Sequence, residues 1–181
     1  AAGEPWAVAT SARTGIRVEP LLQATGFAGP DAAEVQLPRH EVLFVANARG
    51  VRRPMLDTAR AAGADVAVYG TGWEQVAPEI PVVADRLAQP LVPAAYAGAG
   101  VVLNDHWDDM RESGFVSNRL FDAVACGARV LSDDLPGVDL DALFEGCVRA
   151  VAPDDVAAVR ALLADVDGSW PGDEQRGAAA E

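Results

Sequence analysis

From residue 42 onward the chain alternates short apolar runs with amphipathic stretches. VLFVA at 42–46, DVAVY at 65–69, VVL at 101–103, VL at 130–131 and CVRAV at 147–151 have the length and β-branched content of buried strands. A shorter strand is predicted at 80–83. Between these runs the spacing becomes helical. Pro54 suits a first helical turn, and a helix follows through Met55, Leu56 and Ala59 to Gly63. Residues 90–98 predict a helix of small residues with Leu91, Ala95 and Tyr96 inward. Leu120, Phe121, Val124 and Ala125 mark one face of another, opened by Ser117 and Asn118 and stopped by Gly127. DDVAAVRALLADV, after Pro153, puts Val156, Val159, Leu162 and Leu163 on one side, and 139–144 suits a helical turn. Strands alternating with helices predict an α/β fold, a Rossmann-like doubly wound parallel sheet.

The pattern fades at both ends. Residues 1–14 contain Trp6 and little periodicity, VEPLLQ at 18–23 predicts a strand, and the Pro- and Gly-rich run after it predicts a loop to residue 40. The stretch 104–114 reads as a polar loop. DGSWPGDEQRGAAAE has too little apolar content to pack and is expected to be disordered. The expected organisation is a connecting segment at 1–40, one folded unit at 41–165 and a tail at 166–181.

In a parallel sheet of this kind the strands' C-terminal ends share one edge, where ligands bind. Two loops leave that edge carrying anion chemistry. NARGVRR, after the first strand, gathers Arg49, Arg52 and Arg53 ahead of a helix start. The second loop ends in Ser117, Asn118 and Arg119, where exposed backbone N–H groups and a guanidinium meet the positive end of a helix dipole. Asp122 lies one turn further on, on the same edge as Asn118. Ser117 and Asn118 serve equally well as simple caps, and Arg119 and Asp122 as solvated surface; spacing alone leaves both open.

Other features carry less. Gly70 and Gly72 suggest a dinucleotide fingerprint, but Gln75 occupies the third glycine's place. Trp73 suits either stacking on a base or sugar, or packing. His106 has the side chain of a general base. It stands with Asp105, Asp108, Asp109 and Glu112, but one His among carboxylates is poor zinc chemistry and no metal is expected.

At 181 residues the chain suffices for one domain or for half of a larger two-domain protein. The net charge of −13 and pI near 4.4 argue against nucleic acid and anionic membranes. All 14 basic side chains are arginine, so a local gathering of them stands out against an acidic background. No run approaches the roughly 20 apolar residues of a membrane span, and the protein is expected to be soluble and cytoplasmic. Cys126 and Cys147 have no metal or redox spacing, which suits a reducing compartment.

GFVSNRLFDAVACGARVLSDD resembles the donor-binding signature of GT-B glycosyltransferases, in particular the group 1, family 4-like enzymes and their spore-maturation-like relatives. That likeness is specific over 104–134 and weaker over 21–163. It implies the C-terminal half of a GT-B enzyme, with a nucleoside-diphosphate sugar as substrate, no cofactor or metal, retention of anomeric configuration, and an acceptor carried by an N-terminal domain of the same protein. By position the resemblance assigns the diphosphate to Arg49, Arg52 or Arg53, Ser117, Asn118 and Arg119, and the ribose to Asp122. Gly70, Gly72 and Trp73 are candidates for base or sugar, and Glu112 and His106 for catalysis. The family pattern has two glutamates eight apart. Here Asp122 replaces the second, Gly114 falls where the first would be, and Glu112 stands in through a longer loop. The isolated chain is expected to bind donor without turning over. A partner-binding module and a sugar-nucleotide epimerase are the competing readings.

Overall fold

A computed structural model describes residues 3–27 and 37–180; the stretch 28–36 of the expected loop lies outside the described residues. The elements in order are helix α1 (Glu4–Thr14), β1 (Val42–Val45), α2 (Pro54–Ala61), β2 (Val66–Tyr69), α3 (Trp73–Val76), β3 (Val82–Ala84) and, after a 3-10 turn, α4 (Val92–Gly98). Then come β4 (Val101–Leu103), α5 (Asp108–Ser113), α6 (Asn118–Ala125), β5 (Val130–Asp133), α7 (Leu140–Leu143), β6 (Val148–Val151), α8 (Val156–Ala164), α9 (Val166–Ser169) and α10 (Asp173–Ala179). The six strands form one parallel sheet in the order β3-β2-β1-β4-β5-β6, the Rossmann-like α/β fold that the alternation predicts. Strand order reverses between β1 and β4, so the crevice beyond their C-terminal ends is where the fold itself favours a ligand.

The sheet is covered on both faces because its strands are apolar on both. Along β1, Val42 and Phe44 point into one core with Met55, Leu56 and Ala59 of α2 and Val159 of α8, while Leu43 points into the other with Tyr96 of α4 and Leu120 and Val124 of α6. Phe44, Leu56 and Leu120 have no exposed surface, and each stabilises the fold by about 1.5–3 kcal/mol. Local chemistry fixes the helix ends. Pro54 opens α2, the Asp155 carboxylate accepts from the Ala158 N–H at 2.9 Å to cap α8, and Gly127 follows α6 in the left-handed conformation, at φ 71°.

Four expectations are corrected. VEPLLQ pairs with no strand; it is an exposed run in which Pro20 lacks a donor for any ladder. The patternless N-terminus forms α1, held by contacts no local periodicity encodes. Pro5 packs against Gly114 and Gly137, so closely that a Cβ on Gly114 would meet the Pro5 ring at 2.8 Å, and Trp6 lies 6.1 Å from Phe115 between ring centroids. The polar loop at 104–114 contains α5, a helix without a buried residue, so its mostly charged sequence carries no apolar stripe to mark it. Lastly, the stretch expected to be disordered from 166 carries α9 and α10. Trp170 is buried and its indole N–H donates to the Val130 carbonyl at 3.2 Å, while Arg176 is buried and donates to the Gly127 carbonyl at 2.9 Å. No helix among the described residues is long and apolar enough to cross a membrane.

Candidate functional site

Beyond the last residue of β4 the chain runs Asn104, Asp105, His106, and all three side chains are buried. Buried polar groups must find partners, and these three find them on neighbouring elements. Asn104 donates from Nδ2 to Ser132 Oγ on β5 at 2.9 Å, and its Oδ1 accepts from Arg119 Nη1 on α6 at 2.8 Å. Asp105 reaches the loop after β1, where both its oxygens accept from the Arg53 guanidinium, one from Nε at 2.6 Å. His106 turns to β5. Its Nδ1 lies 2.6 Å from Asp133 Oδ1, its backbone N–H donates to the same carboxylate at 3.1 Å, and Nε2 accepts from the Ser117 N–H at 3.1 Å. With Nε2 an acceptor, the ring proton sits on Nδ1. Thus three consecutive residues at the switch point tie together β5, the loop after β1 and the start of α6.

Asp133 closes this network. It is 2% exposed, and burial alone would push its carboxyl up, but hydrogen bonds from His106 and from Arg111 Nη1, at 2.9 Å, hold it below the usual carboxylate range. Arg111 also grips Asp134 at 2.9 Å and so anchors α5 across the end of β5.

A cavity of about 90 Å³ lies at the C-terminal edge of β1 and β4, and its lining includes Asn47, Arg49, Arg53, Asp105, Trp107, Ser117 and Arg119. Both loops singled out in the sequence therefore meet on one site. Their arginines differ in what they already hold. Arg52 is exposed and pairs with Asp57 and Glu79. Arg53 is 5% exposed, neutralised by Asp105 and stacked 4.2 Å over the Trp107 ring. Arg49 and Arg119 line the same cavity with no carboxylate partner among the described residues: Arg49 lies over Trp107, and Arg119 contacts the neutral Asn104 oxygen, the face of Phe44 and the Tyr96 side chain. Arg49 sits at φ 51°, a left-handed conformation that costs a non-glycine residue on the order of 1 kcal/mol and collects at functional sites.

The remaining sequence candidates fall as follows. Ser117 occupies the N-cap position of α6 without a side-chain cap bond. Asn118 Nδ2 donates to Asp122 Oδ2 at 3.1 Å, as four-residue spacing allows, and Asp122 Oδ1 accepts from Thr25 Oγ1 at 2.5 Å. Trp73, expected as a possible stacking platform, is 1% exposed, packed against Phe44 and donating to the Ala46 carbonyl at 3.0 Å, so it presents no face to a ligand. Gly70 is required by close backbone approach, since a Cβ there would meet the Ala46 oxygen at 2.0 Å; Gly72 faces the same loop at φ 82°. Expected as a base, His106 has both ring nitrogens engaged and no exposed side-chain surface. Glu112 is exposed on α5 and does not line the cavity. Sequence reasoning missed Asp133, Arg111 and Thr25. Only the rule that strand ends share an edge points to Asp133, and nothing local points to Thr25.

Two larger cavities, of about 630 and 450 Å³, lie at the opposite edge, beside Glu41 ahead of β1 and Gly100 ahead of β4. The larger is also lined by Arg39, Arg129 and Arg176, but Arg129 and Arg176 are paired with Asp167 and Asp173, and helix C-termini, with their negative dipole ends, point there, which disfavours an anion. Size does not decide between the two edges; charge and topology favour the small cavity.

Comparisons with known proteins bear on the family and the fold. No curated protein matches the chain by sequence. Among solved structures, the glycosyltransferase AviGT4, involved in avilamycin A biosynthesis, matches with a TM-score of 0.59 at 17% identity, over 95% of this chain and 55% of that one. The GtfA/B complex matches with a TM-score of 0.50 at 14% identity, over 79% of this chain and 33% of that one. At such identities the likeness is one of fold, and the chain spans about half the length of the first of these structures or less. A family model described as glycosyl transferase-like matches residues 49–176, well over half the chain, from the first arginine of the β1 loop through α6 and into α10, and the chain therefore belongs to the glycosyl transferase-like family.

Proposed function

We propose that the chain is the donor-binding, C-terminal half of a GT-B glycosyltransferase and that it holds the diphosphate of a nucleotide sugar between its two basic loops. One observation carries the reading: Arg49 and Arg119, the two arginines there without a carboxylate partner among the described residues, line one cavity with Ser117 at the start of α6. Two guanidiniums and a helix N-terminus aimed at one point stabilise an anion whose charge grows as the sugar leaves, by preorganised electrostatics. In this reading Asp122 takes the ribose, and Arg53 and Asp105 build the wall and leave the diphosphate to the other two. The cavity holds a phosphate-sized group, well short of the roughly 300 Å³ of a complete small-molecule site. The sugar and acceptor would then lie in a cleft closed by an acceptor domain, and coverage of only 55% of the AviGT4 chain supports such a division of labour. Retention and metal-independent transfer are part of the same proposal.

An epimerase needs an acid and a base in this cleft. His106, the candidate for that role, is committed to Asp133 and Ser117, which favours transfer. The test is calorimetric titration with UDP, GDP, ADP and dTDP. One diphosphate should bind, and Arg49→Ala and Arg119→Ala should each weaken it by about 1.5–3 kcal/mol, the worth of a charged hydrogen bond. Undiminished binding in both variants would sink the reading.

A further inference from the structure

The N-terminal segment brackets α6 at two points. At its start, the first turn of α1 packs on Gly114, where a Cβ on Gly3 would meet the Gly114 oxygen at 1.7 Å, and Trp6 lies against Phe115. After α1 the chain turns at Gly15, left-handed at φ 70°, and is pinned back by the Val18 N–H donating to Ser11 Oγ at 2.8 Å. It then runs to Thr25, whose hydroxyl donates to Asp122 Oδ1 at 2.5 Å, and Phe27 packs on the core cluster that contains Tyr96 and Leu120. Each oxygen of Asp122 already has a donor: Asn118 on Oδ2 and Thr25 on Oδ1. Asn118 belongs to the same helix, but Thr25 lies 97 residues away on a run whose other residues from 16 to 26 are mostly exposed.

We propose that residues 16–27 are a strap that competes with the ligand's ribose for Asp122, so that the donor site is obstructed at its ribose end while its diphosphate end stays open. This rests on the donor-site reading and deepens it into a mechanism of regulation. The Thr25 hydroxyl donates to the carboxylate as a ribose hydroxyl would, so a ribose that takes the same position on Oδ1 must displace it. The strap is anchored on the loop that leads into the diphosphate-binding helix, so displacing Thr25 also frees the chain between that loop and Asp122. Few buried contacts hold residues 16–24, which makes this the segment that yields at least cost.

The test separates the two ends of the site. Inorganic pyrophosphate needs Arg49, Arg119 and the start of α6 but not Asp122, whereas a nucleoside diphosphate needs both. Titrations of the 181-residue chain, Thr25→Val and Thr25→Ser with pyrophosphate and with UDP, GDP, ADP and dTDP should show pyrophosphate affinity unchanged throughout. The best nucleotide should bind roughly tenfold tighter to Thr25→Val, as loss of one hydrogen bond to a charged group predicts. Thr25→Ser, which keeps the hydroxyl, should behave as the parent. Pyrophosphate binding with nucleotide affinity unchanged or weakened in Thr25→Val overturns the strap and leaves the donor site standing. Failure of pyrophosphate to bind any of the three removes the donor-site reading and the strap with it.

Discussion

The two loops that meet at the switch point look alike in sequence, each polar, arginine-bearing and placed before a helix, yet they divide their charges differently. In the loop after β1, two of three arginines are already neutralised, Arg52 at the surface by Asp57 and Glu79 and Arg53 in the interior by Asp105. In the stretch after β4, Asp105 and His106 are spent on partners and Arg119 is left facing a neutral amide oxygen. Each loop thus contributes one arginine without a carboxylate to the cavity, and the remaining charges hold the two loops at their spacing. What separates an arginine left without a carboxylate from one that builds the wall is the partner within reach, and for Arg53 that partner is 52 residues away in sequence.

The sharpest way to break that division is to strip the building pair. Asp105→Ala leaves the Arg53 charge buried without compensation, a change that costs about 3–5 kcal/mol of stability. Denaturant unfolding should show a midpoint shift of that size. Arg53→Met combined with Asp105→Leu removes both charges, and should recover most of the loss because the pair's attraction offsets its own desolvation. Arg49→Ala, by contrast, should leave the midpoint within about 0.5 kcal/mol of the parent while weakening ligand. If Asp105→Ala proved as mild as Arg49→Ala, the distinction between the two kinds of arginine would be lost.

A smaller effect is expected on the β5 side. The Asp133 carboxyl is held below its usual range, so by linkage its contribution to stability is fully present above the ordinary aspartate value near pH ~3.9 and is lost as pH falls through its lower folded value. Stability should therefore decline as the solution is acidified below about pH 4. Asp133→Asn should cost about 1.5–3 kcal/mol at neutral pH, through the weakened bonds to His106 and Arg111, and should flatten the acid limb. An acid limb of unchanged slope in that variant would assign the pH dependence to other carboxylates.

The elements that sequence pattern made legible were those whose burial is decided locally. β1, β2, β4 and β5 are built on short apolar runs rich in Val, and α6 carries its apolar stripe between Ser117 and Gly127, so period and caps agreed. From that alternation the sheet, its ligand edge and the meeting of the two loops followed. What was illegible depends on distant contacts. α1 has Trp6 and Val8 exposed and sits where it does because Gly3 and Pro5 fit a backbone 109 residues or more away at Gly114. The tail is poor in apolar residues, yet Trp170 and Arg176 each find a buried carbonyl. His106 is the clearest case in the site. An imidazole in a polar loop suggests a base, and only the arrival of Asp133 on the neighbouring strand turns it into a brace for Ser117. Trp73 likewise lost its stacking role to Phe44 and the Ala46 carbonyl.

Glu112 sharpens the comparison through the smallest expected effect. Resemblance to the two-glutamate pattern makes it a contact for the donor sugar, while its position makes it an exposed carboxylate in the last turn of α5, with no ion pair among the described residues. A negative charge at a helix C-terminus is mildly unfavourable, so Glu112→Ala should change stability by no more than about 0.5 kcal/mol, with any change toward greater stability. Its neighbour Arg111 is the residue that anchors α5, through Asp133 and Asp134. Titration of Glu112→Ala with the preferred nucleoside diphosphate should leave affinity within about twofold of the parent, since only the sugar end of a donor could reach this side chain and a nucleoside diphosphate has none. The corresponding nucleotide sugar is the discriminating ligand. A tenfold loss with the sugar nucleotide alone would mean that α5 swings Glu112 toward the cavity on binding, and would restore the paired-carboxylate pattern in altered spacing. Equal affinities for both ligands would leave the loop after β4 with one functional charge, Arg119, the counterpart of Arg49 across the cavity.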